Sequence, residues 1–147
     1  MRFGTDGVRG TAYTELTTSF VTLLGRAAAE VLGTGEWLIG RDTRESGPAF
    51  EEALTAGLHA AGATVRSAGV LPTPALARAS AVHRLPAAMI TASHNPFGDN
   101  GVKLFAVGGL KLSDAAQAAI EARLDELTAA GVGDLVASWT GNLPVSA

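Results

Sequence analysis

Residues 87–105 read AAMITASHNPFGDNGVKLF and combine a short apolar run with a loop rich in polar side chains. The run 87–91 is short, apolar and followed by turn residues, which is typical of a buried strand. Ser93 is then expected just past the carboxyl end of that strand, where open α/β sheets bind their ligands. The dipeptides Asn95-Pro96 and Asn100-Gly101 predict two tight turns. We therefore expect a loop that holds Ser93 fixed and exposed.

Helical and extended patterns alternate around this stretch. An apolar stripe at helical spacing starts near Ser19, with Thr17 or Thr18 as its N-cap and Gly33 at its end. Three more helices are predicted: one opened by Ser46-Gly47-Pro48 and closed by Gly62, one capped by Thr73 with Pro74 at its first position, and one from Asp114 to Ala130 capped by Ser113. Strands are predicted at 36–40, 63–67, 87–91 and 102–105. This alternation predicts an α/β fold of three layers, with a mostly parallel (mixed) sheet and helices on both faces.

Size and composition restrict the class of protein. A chain of 147 residues with 47% apolar and 17% charged residues is expected to form one globular domain. No run approaches the roughly 18 apolar residues of a membrane helix, and the N-terminus lacks a signal-peptide core. With no cysteines, the expectation is a cytoplasmic protein without a membrane partner. The net charge of −3 argues against nucleic-acid binding, which needs clustered cations.

Ser93 and its neighbours are the first candidates for chemistry. A serine is a weak nucleophile unless activated, so one interpretation is a serine that carries a phosphoryl group, with Lys103 supplying positive charge. The other is a serine bonded locally to the backbone in a turn. His94 adjoins it but is expected to point away, so it could bind a phosphate or pack half-buried against Phe97. Asp99 and Asn100 are expected to satisfy turn backbone.

Two further stretches carry charge beside glycines. In FGTDGVRG (3–10), glycines leave Arg9 accessible for a bidentate phosphate contact, or Arg9 is simply a surface residue of an N-terminal hairpin. In GRDTR (40–44), charges could point at the crevice of Ser93, or Asp42 could pair with Arg41 or Arg44 and only order the loop. No cluster has metal-ligand spacing, and His59 and His83 are expected to be structural.

Taken together, four stretches resemble the phosphohexomutase superfamily, and most closely its phosphoglucosamine mutase branch. They are FGTDGVRG at 3–10, GRDTRESG at 40–47, LPTPA at 71–75, and TASHNPF with DNGVK between 91 and 103. The resemblance extends over residues 3–112 and corresponds to the first of the four domains of that family. It assigns residues 1–130 to this first domain and leaves the tail 131–147 unassigned.

The resemblance implies a phosphoryl-transfer site around Ser93. In that family the serine is phosphorylated, and glucosamine 6-phosphate and glucosamine 1-phosphate interconvert through a 1,6-bisphosphate. Arg9 and Lys103 would lie beside the transferring group, His94 would line the same site, and the Ser93 phosphate would be one ligand of Mg²⁺. The other Mg²⁺ ligands belong to a DGDxDR motif of the second domain, which these 147 residues do not contain.

The resemblance leaves the question of enzymatic activity open. With the first domain alone, we expect an intramolecular phosphotransferase (an isomerase) that is incomplete and has little or no activity. The alternative is a catalytically inert binding or dimerisation module, since members of this branch form homodimers through their first domain. A serine hydrolase is disfavoured because no base and acid pair with Ser93 in the sequence pattern.

Overall fold

The computed structural model describes residues 7–131. Its elements, in chain order, are β1 (Val8–Thr11), α1 (Thr18–Leu32), β2 (Glu36–Arg41), α2 (Gly47–Ala60), β3 (Thr64–Val70), α3 (Thr73–His83), β4 (Ala87–Ile90), β5 (Asp99–Ala106), β6 (Leu110–Lys111) and α4 (Asp114–Ala129). The four predicted helices are therefore present.

The strands form one mixed sheet in the order β1-β5-β4-β2-β3, with β6 paired to β5. Strand β2 is parallel to both β3 and β4. Strand β5 is antiparallel to β1, β4 and β6. The mixed sheet of the prediction is confirmed, with the parallel pairing confined to β3, β2 and β4. Because these three strands point the same way, their carboxyl ends lie at one edge.

Helices cover both faces of the sheet, as predicted. Helices α1, α2 and α4 share the larger core, which they form with apolar residues of the strands such as Trp37, Ile39 and Ile90. Helix α3 covers the opposite face, where Leu76 packs with Met89. The three-layer α/β/α architecture thus follows from the central strands β2 and β4, which are buried on both sides of the sheet.

Sequence signals at the ends of α1 and α4 act as predicted. The Thr17 hydroxyl accepts a hydrogen bond from the Phe20 amide at 3.1 Å, and Ser113 accepts one from Ala116 at 3.0 Å. Such caps satisfy amides that lack partners within the helix. The backbones of α1 and α2 approach closely at Gly57. A Cβ atom added there would lie 1.9 Å from the Thr22 carbonyl oxygen.

Two boundaries differ from the sequence prediction. Helix α3 includes Thr73 and is capped by Pro72, so it begins one residue earlier than expected. Strand β3 continues to Val70 through a register irregularity opposite Ile39/Gly40.

The turn predicted at Asn100-Gly101 is wrong, because both residues lie within β5. Asn100 is fully buried, and its side-chain amide donates to the Ser46 hydroxyl at 2.9 Å. This buried bond joins β5 to the start of α2, so tertiary contact overrides the local preference of Asn-Gly for a turn. The second tight turn lies at Phe97-Gly98 instead. Among residues 7–131, no helix has the length and apolar character needed to span a bilayer.

Candidate functional site

The Ser93 loop lies at the carboxyl edge of the parallel strands, as predicted. Strand β4 ends at Ile90, and the Asp42 amide, just past the end of β2, donates to the Ile90 carbonyl at 3.1 Å. The segment after β2 and the segment after β4 are therefore neighbours. This is the edge at which open α/β sheets bind ligands.

Ser93 has an unusual backbone conformation. Its φ is +54°, in the left-handed region that only a few non-glycine residues occupy. The residue is exposed, and its hydroxyl has no hydrogen-bond partner within residues 7–131. Its amide donates to the Thr91 hydroxyl at 3.0 Å. The local turn bond that was one interpretation of Ser93 thus belongs to Thr91, and the Ser93 hydroxyl is left accessible.

The side chain of Arg44 bonds the backbone of the Ser93 loop. Its side chain is 5% exposed, and its three nitrogens make five hydrogen bonds. One goes to the Asp42 carboxylate, and four go to backbone carbonyls of the loop: Ser93 at 2.8 Å, Asn95 at 3.1 Å, Pro96 at 2.6 Å and Asp99 at 3.1 Å. A guanidinium has five N–H donors in a rigid plane, and here all of them are used.

Asp42 connects this arginine to the serine. Its Oδ2 accepts from Arg44 Nε at 3.1 Å and from the Thr91 hydroxyl at 2.6 Å. Thr91 in turn accepts from the Ser93 amide. The interpretation that Asp42 pairs with Arg44 and orders the loop is confirmed, whereas Arg41 binds Glu51.

Arg9 reaches the same edge from the neighbouring strand. It is exposed and lies opposite Gly101 in the pairing of β1 with β5. A Cβ at Gly101 would lie 2.9 Å from Arg9 Cγ and 2.7 Å from the Thr91 carbonyl oxygen. The stem of Arg9 therefore crosses β5 over the glycine, beside the residue that bonds Ser93.

Lys103 lies two residues beyond Gly101 and hence on the same face of β5. It is half-buried, it pairs with Met89, and its ammonium lies 5.5 Å from the centre of the Phe105 ring. The fold thus places Arg9 and Lys103 on one face of adjacent strands, the face that α3 covers.

The remaining candidates have simpler surroundings. His94 is exposed, so the alternative in which it packs half-buried against Phe97 is wrong. The Phe97 ring contacts Arg44 instead, with the guanidinium carbon 5.9 Å from the ring centre. Asp99 accepts from the Asn95 side chain at 3.2 Å, so its carboxylate bonds a side chain of the loop rather than the turn backbone that was expected. His59 is exposed on α2.

Local sequence patterns predicted Arg44 only as a partner of Asp42, and they did not predict that Arg44 and Thr91 hold the backbone of Ser93. Their signals were present, as an Asp-x-Arg triplet after a strand and a threonine two residues before the serine. Their roles depend on contacts between positions 49 to 55 residues apart, which local patterns do not show.

Similarity to known proteins agrees with this geometry. The family described as phosphoglucomutase/phosphomannomutase, alpha/beta/alpha domain I, matches residues 1–131. The chain belongs to this family. It is 52% identical to the phosphoglucosamine mutase of Nocardia farcinica over 125 residues, which cover 82% of this chain and 27% of that one. It is 49% identical to the Rhodococcus erythropolis phosphoglucosamine mutase, covering 89% of this chain and 32% of that one.

Solved structures of the family share this fold. A putative phosphomannomutase from Thermus thermophilus superposes with a TM-score of 0.77 at 37% identity, covering 84% of this chain and 29% of that one. A phosphoglucomutase/phosphomannomutase family protein from Burkholderia thailandensis gives 0.75 at 29% identity, covering 86% and 30%. The chain spans about a third of the length of the relatives it matches.

Proposed function

We propose that this chain is the phosphoserine-bearing first domain of a phosphoglucosamine mutase, and that Ser93 carries the phosphoryl group. The observation that supports this most directly is the accessible Ser93 hydroxyl on a loop held rigidly at the ligand-binding edge of the sheet. Arg9 and Lys103 on the adjacent strands supply positive charge to the same edge. The similarity to phosphoglucosamine mutases directs the proposal to that sugar.

In the proposed reaction, phosphoserine 93 phosphorylates glucosamine 6-phosphate. The bond between phosphorus and the Ser93 Oγ breaks as the sugar 1-hydroxyl oxygen bonds to phosphorus. The hydroxyl proton leaves the sugar, and the departing serine oxygen takes up a proton. The 1,6-bisphosphate then returns its 6-phosphoryl group to Ser93 and leaves glucosamine 1-phosphate, so no phosphate is lost overall.

Arg9 and Lys103 have the properties that this reaction requires. Phosphoryl transfer depends mainly on positioning and on stabilising the charge that spreads over the phosphoryl oxygens. An arginine can bind two of these oxygens at once, and a lysine acts as a compact point charge. We assign these two cations to the transferring group and to assistance of proton transfer, and exposed His94 to the lining of the same site.

Mg²⁺ is the cofactor that this reaction class implies, and the described residues do not form a site for it. Between residues 7 and 131, no group of three or more His, Asp or Glu side chains could hold a metal ion. Mg²⁺ in proteins is usually bound by one or two carboxylates together with substrate phosphates. We propose that this chain contributes only a phosphate oxygen on Ser93, and that carboxylates outside these residues complete the coordination.

A domain exchange tests the proposal. Residues 1–131 of this chain replace the matching segment of the Nocardia farcinica phosphoglucosamine mutase, and conversion of glucosamine 6-phosphate is measured. We expect turnover in the chimaera, together with one phosphoryl group on Ser93 by mass spectrometry. Ser93→Ala should remove both the phosphoryl group and the turnover, because no other oxygen is held at that position.

Ser19→Ala is the matched control. Ser19 is an exposed serine near the start of α1, remote from the loop in sequence, and its replacement should leave turnover unchanged. A folded chimaera without turnover, or one in which Ser93→Ala retains it, would contradict the proposal.

The edge strand β3 favours a second candidate function, dimerisation. It ends the sheet, and Val70 at its carboxyl end is 56% exposed. An unpaired edge can pair with another chain. A second copy is the partner this proposal names, and Val70→Lys should shift the sedimentation of the chain from dimer to monomer. Sedimentation of the unaltered chain as a monomer at high concentration would refute it.

A further inference from the structure

Arg44 makes more hydrogen bonds to the Ser93 loop than any other described side chain, although no chemical role is assigned to it above. We propose that Arg44 is a positioning residue, which fixes the backbone around Ser93 so that the serine oxygen is presented for phosphoryl transfer. This inference rests on the proposed function for its consequence in catalysis. Its structural part can be tested separately.

The first argument is the distribution of the bonds. The loop consists of two successive turns, closed by Asn95 N–H to the Ala92 carbonyl at 3.0 Å and by Asp99 N–H to the Pro96 carbonyl at 2.9 Å. One nitrogen of Arg44 bonds the carbonyls of Ser93 and Asn95, and another bonds those of Pro96 and Asp99. A single planar group therefore fixes both turns relative to each other.

The second argument is the connection to the serine itself. Arg44 bonds Asp42, Asp42 accepts from the Thr91 hydroxyl, and that hydroxyl accepts from the Ser93 amide. Arg44 thus acts on Ser93 from two sides, at its carbonyl directly and at its amide through two side chains. A left-handed φ at a non-glycine residue persists only where the surroundings enforce it, and these bonds are the enforcement.

The third argument separates Arg44 from the cations assigned to substrate. All five of its N–H donors are used within the protein, and its side chain is 5% exposed. No donor remains for a phosphate oxygen. Arg44 therefore acts through the loop, whereas Arg9 is exposed at the same edge.

Hydrogen exchange of the complete 147-residue chain tests the structural part without reference to activity. Arg44→Lys keeps the charge that pairs with Asp42 but cannot span both turns with a planar fork. We expect the Asn95 and Asp99 amides to exchange at least about tenfold faster than in the unaltered chain, since these bonds open locally. Amides of α1 should be unaffected. Arg41→Lys is the matched control, because Arg41 binds Glu51 rather than the loop.

Kinetics of the domain-exchange chimaera test the catalytic part. Misplacing a reacting group by about 1 Å can lower a rate about 100-fold, so Arg44→Lys should reduce kcat by about that factor with little change in KM. Added guanidinium should restore part of kcat to Arg44→Ala, because a free guanidinium can occupy the vacated centre of the loop. It should restore nothing to Ser93→Ala.

The outcomes distinguish this inference from the proposed function. Unchanged exchange at Asn95 and Asp99 in Arg44→Lys would overturn the positioning role, as would a variant with unchanged kcat in an active chimaera. An equal rise in KM, with no rescue by guanidinium, would assign Arg44 to substrate binding and also overturn it. Faster loop exchange in the full chain beside an inactive parent chimaera would support the structural role and refute the mutase assignment.

Discussion

Two arginine–carboxylate contacts of this chain, one within the loop after β2 and one between two helices, differ in burial and in bonding. Arg44 and Asp42 are 5% and 29% exposed, whereas Arg123 and Glu30, which connect α4 to α1, are 35% and 28% exposed. Arg44 also bonds four backbone carbonyls, while Arg123 bonds only carboxylates among the described residues. The comparison indicates that the Arg44 contact orders its loop because the same guanidinium also bonds four backbone carbonyls.

The largest difference in stability is expected between variants that replace these two arginines one at a time. Arg44→Met removes five hydrogen bonds, one to the Asp42 carboxylate and four to loop carbonyls. At about 1 kcal/mol net for each bond, their loss is expected to cost about 3–5 kcal/mol. Arg123→Met should leave the free energy of unfolding nearly unchanged, because exposed pairs contribute little. Urea denaturation of both variants measures the contrast. Equal losses of unfolding free energy in the two variants would refute the distinction between the two contacts.

A smaller loss of stability is expected from adding a side chain at Gly101, where the stem of Arg9 crosses β5. Gly101→Ala would place a Cβ 2.3 Å from the Val8 carbonyl oxygen and 2.7 Å from that of Thr91, so backbone must shift. Overpacking of this kind costs about 1–3 kcal/mol, and the displaced Thr91 should also loosen Ser93.

Gly98→Ala is the control for this crowding, because a Cβ at Gly98 meets nothing within 4 Å. The midpoints of thermal unfolding of the two variants, measured side by side, check the prediction. A Gly101→Ala protein as stable as Gly98→Ala would show that the close approach is not required.

The Thr91 hydroxyl, which connects Asp42 to the Ser93 amide, should make a measurable contribution to the free energy of unfolding. Thr91→Val keeps the shape of the side chain but removes one donor to Asp42 and one acceptor for the Ser93 amide. Loss of such bonds costs about 1–3 kcal/mol. Thr91→Ser restores the hydroxyl and should recover most of the loss. If urea denaturation shows that Thr91→Ser is as destabilised as Thr91→Val, this role of the hydroxyl is contradicted.

The smallest effect is expected at the exposed contact, as a pH dependence. Hydrogen bonds from Arg123, and then from Arg26, lower the pKa of Glu30 below its usual value of 4.5. A lowered pKa in the folded state stabilises the fold above the unfolded pKa, and this stabilisation is lost as pH falls through the folded pKa.

A single charge-removing variant measures this dependence. The difference in unfolding free energy between the unaltered chain and Glu30→Gln should be constant above a pH of about 5 and should shrink at lower pH. A difference that grows in acid would reverse the sign and contradict the assignment.

The sequence predicted the helices, the mixed sheet and the location of Ser93 well, because these depend on local periodicity and caps such as Thr17 and Ser113. It failed at Asn100-Gly101, where a buried bond to Ser46 overrides a turn preference. It also did not identify Arg44 as the residue that holds the serine. A charged residue after a strand has the same local pattern whether it faces solvent or closes a loop 49 residues away.

The pairing of β1 with β5 has a consequence for how the site is assembled during synthesis. Val8 pairs with Val102, so the strand that carries Arg9 has no partner until nearly the whole domain has left the ribosome. At translation rates of about 5–20 residues per second, Arg9 emerges at least several seconds before Gly101. Contacts this distant in sequence also form slowly. The serine edge of the nascent domain is therefore completed late, after α1, α2 and α3 have had time to form.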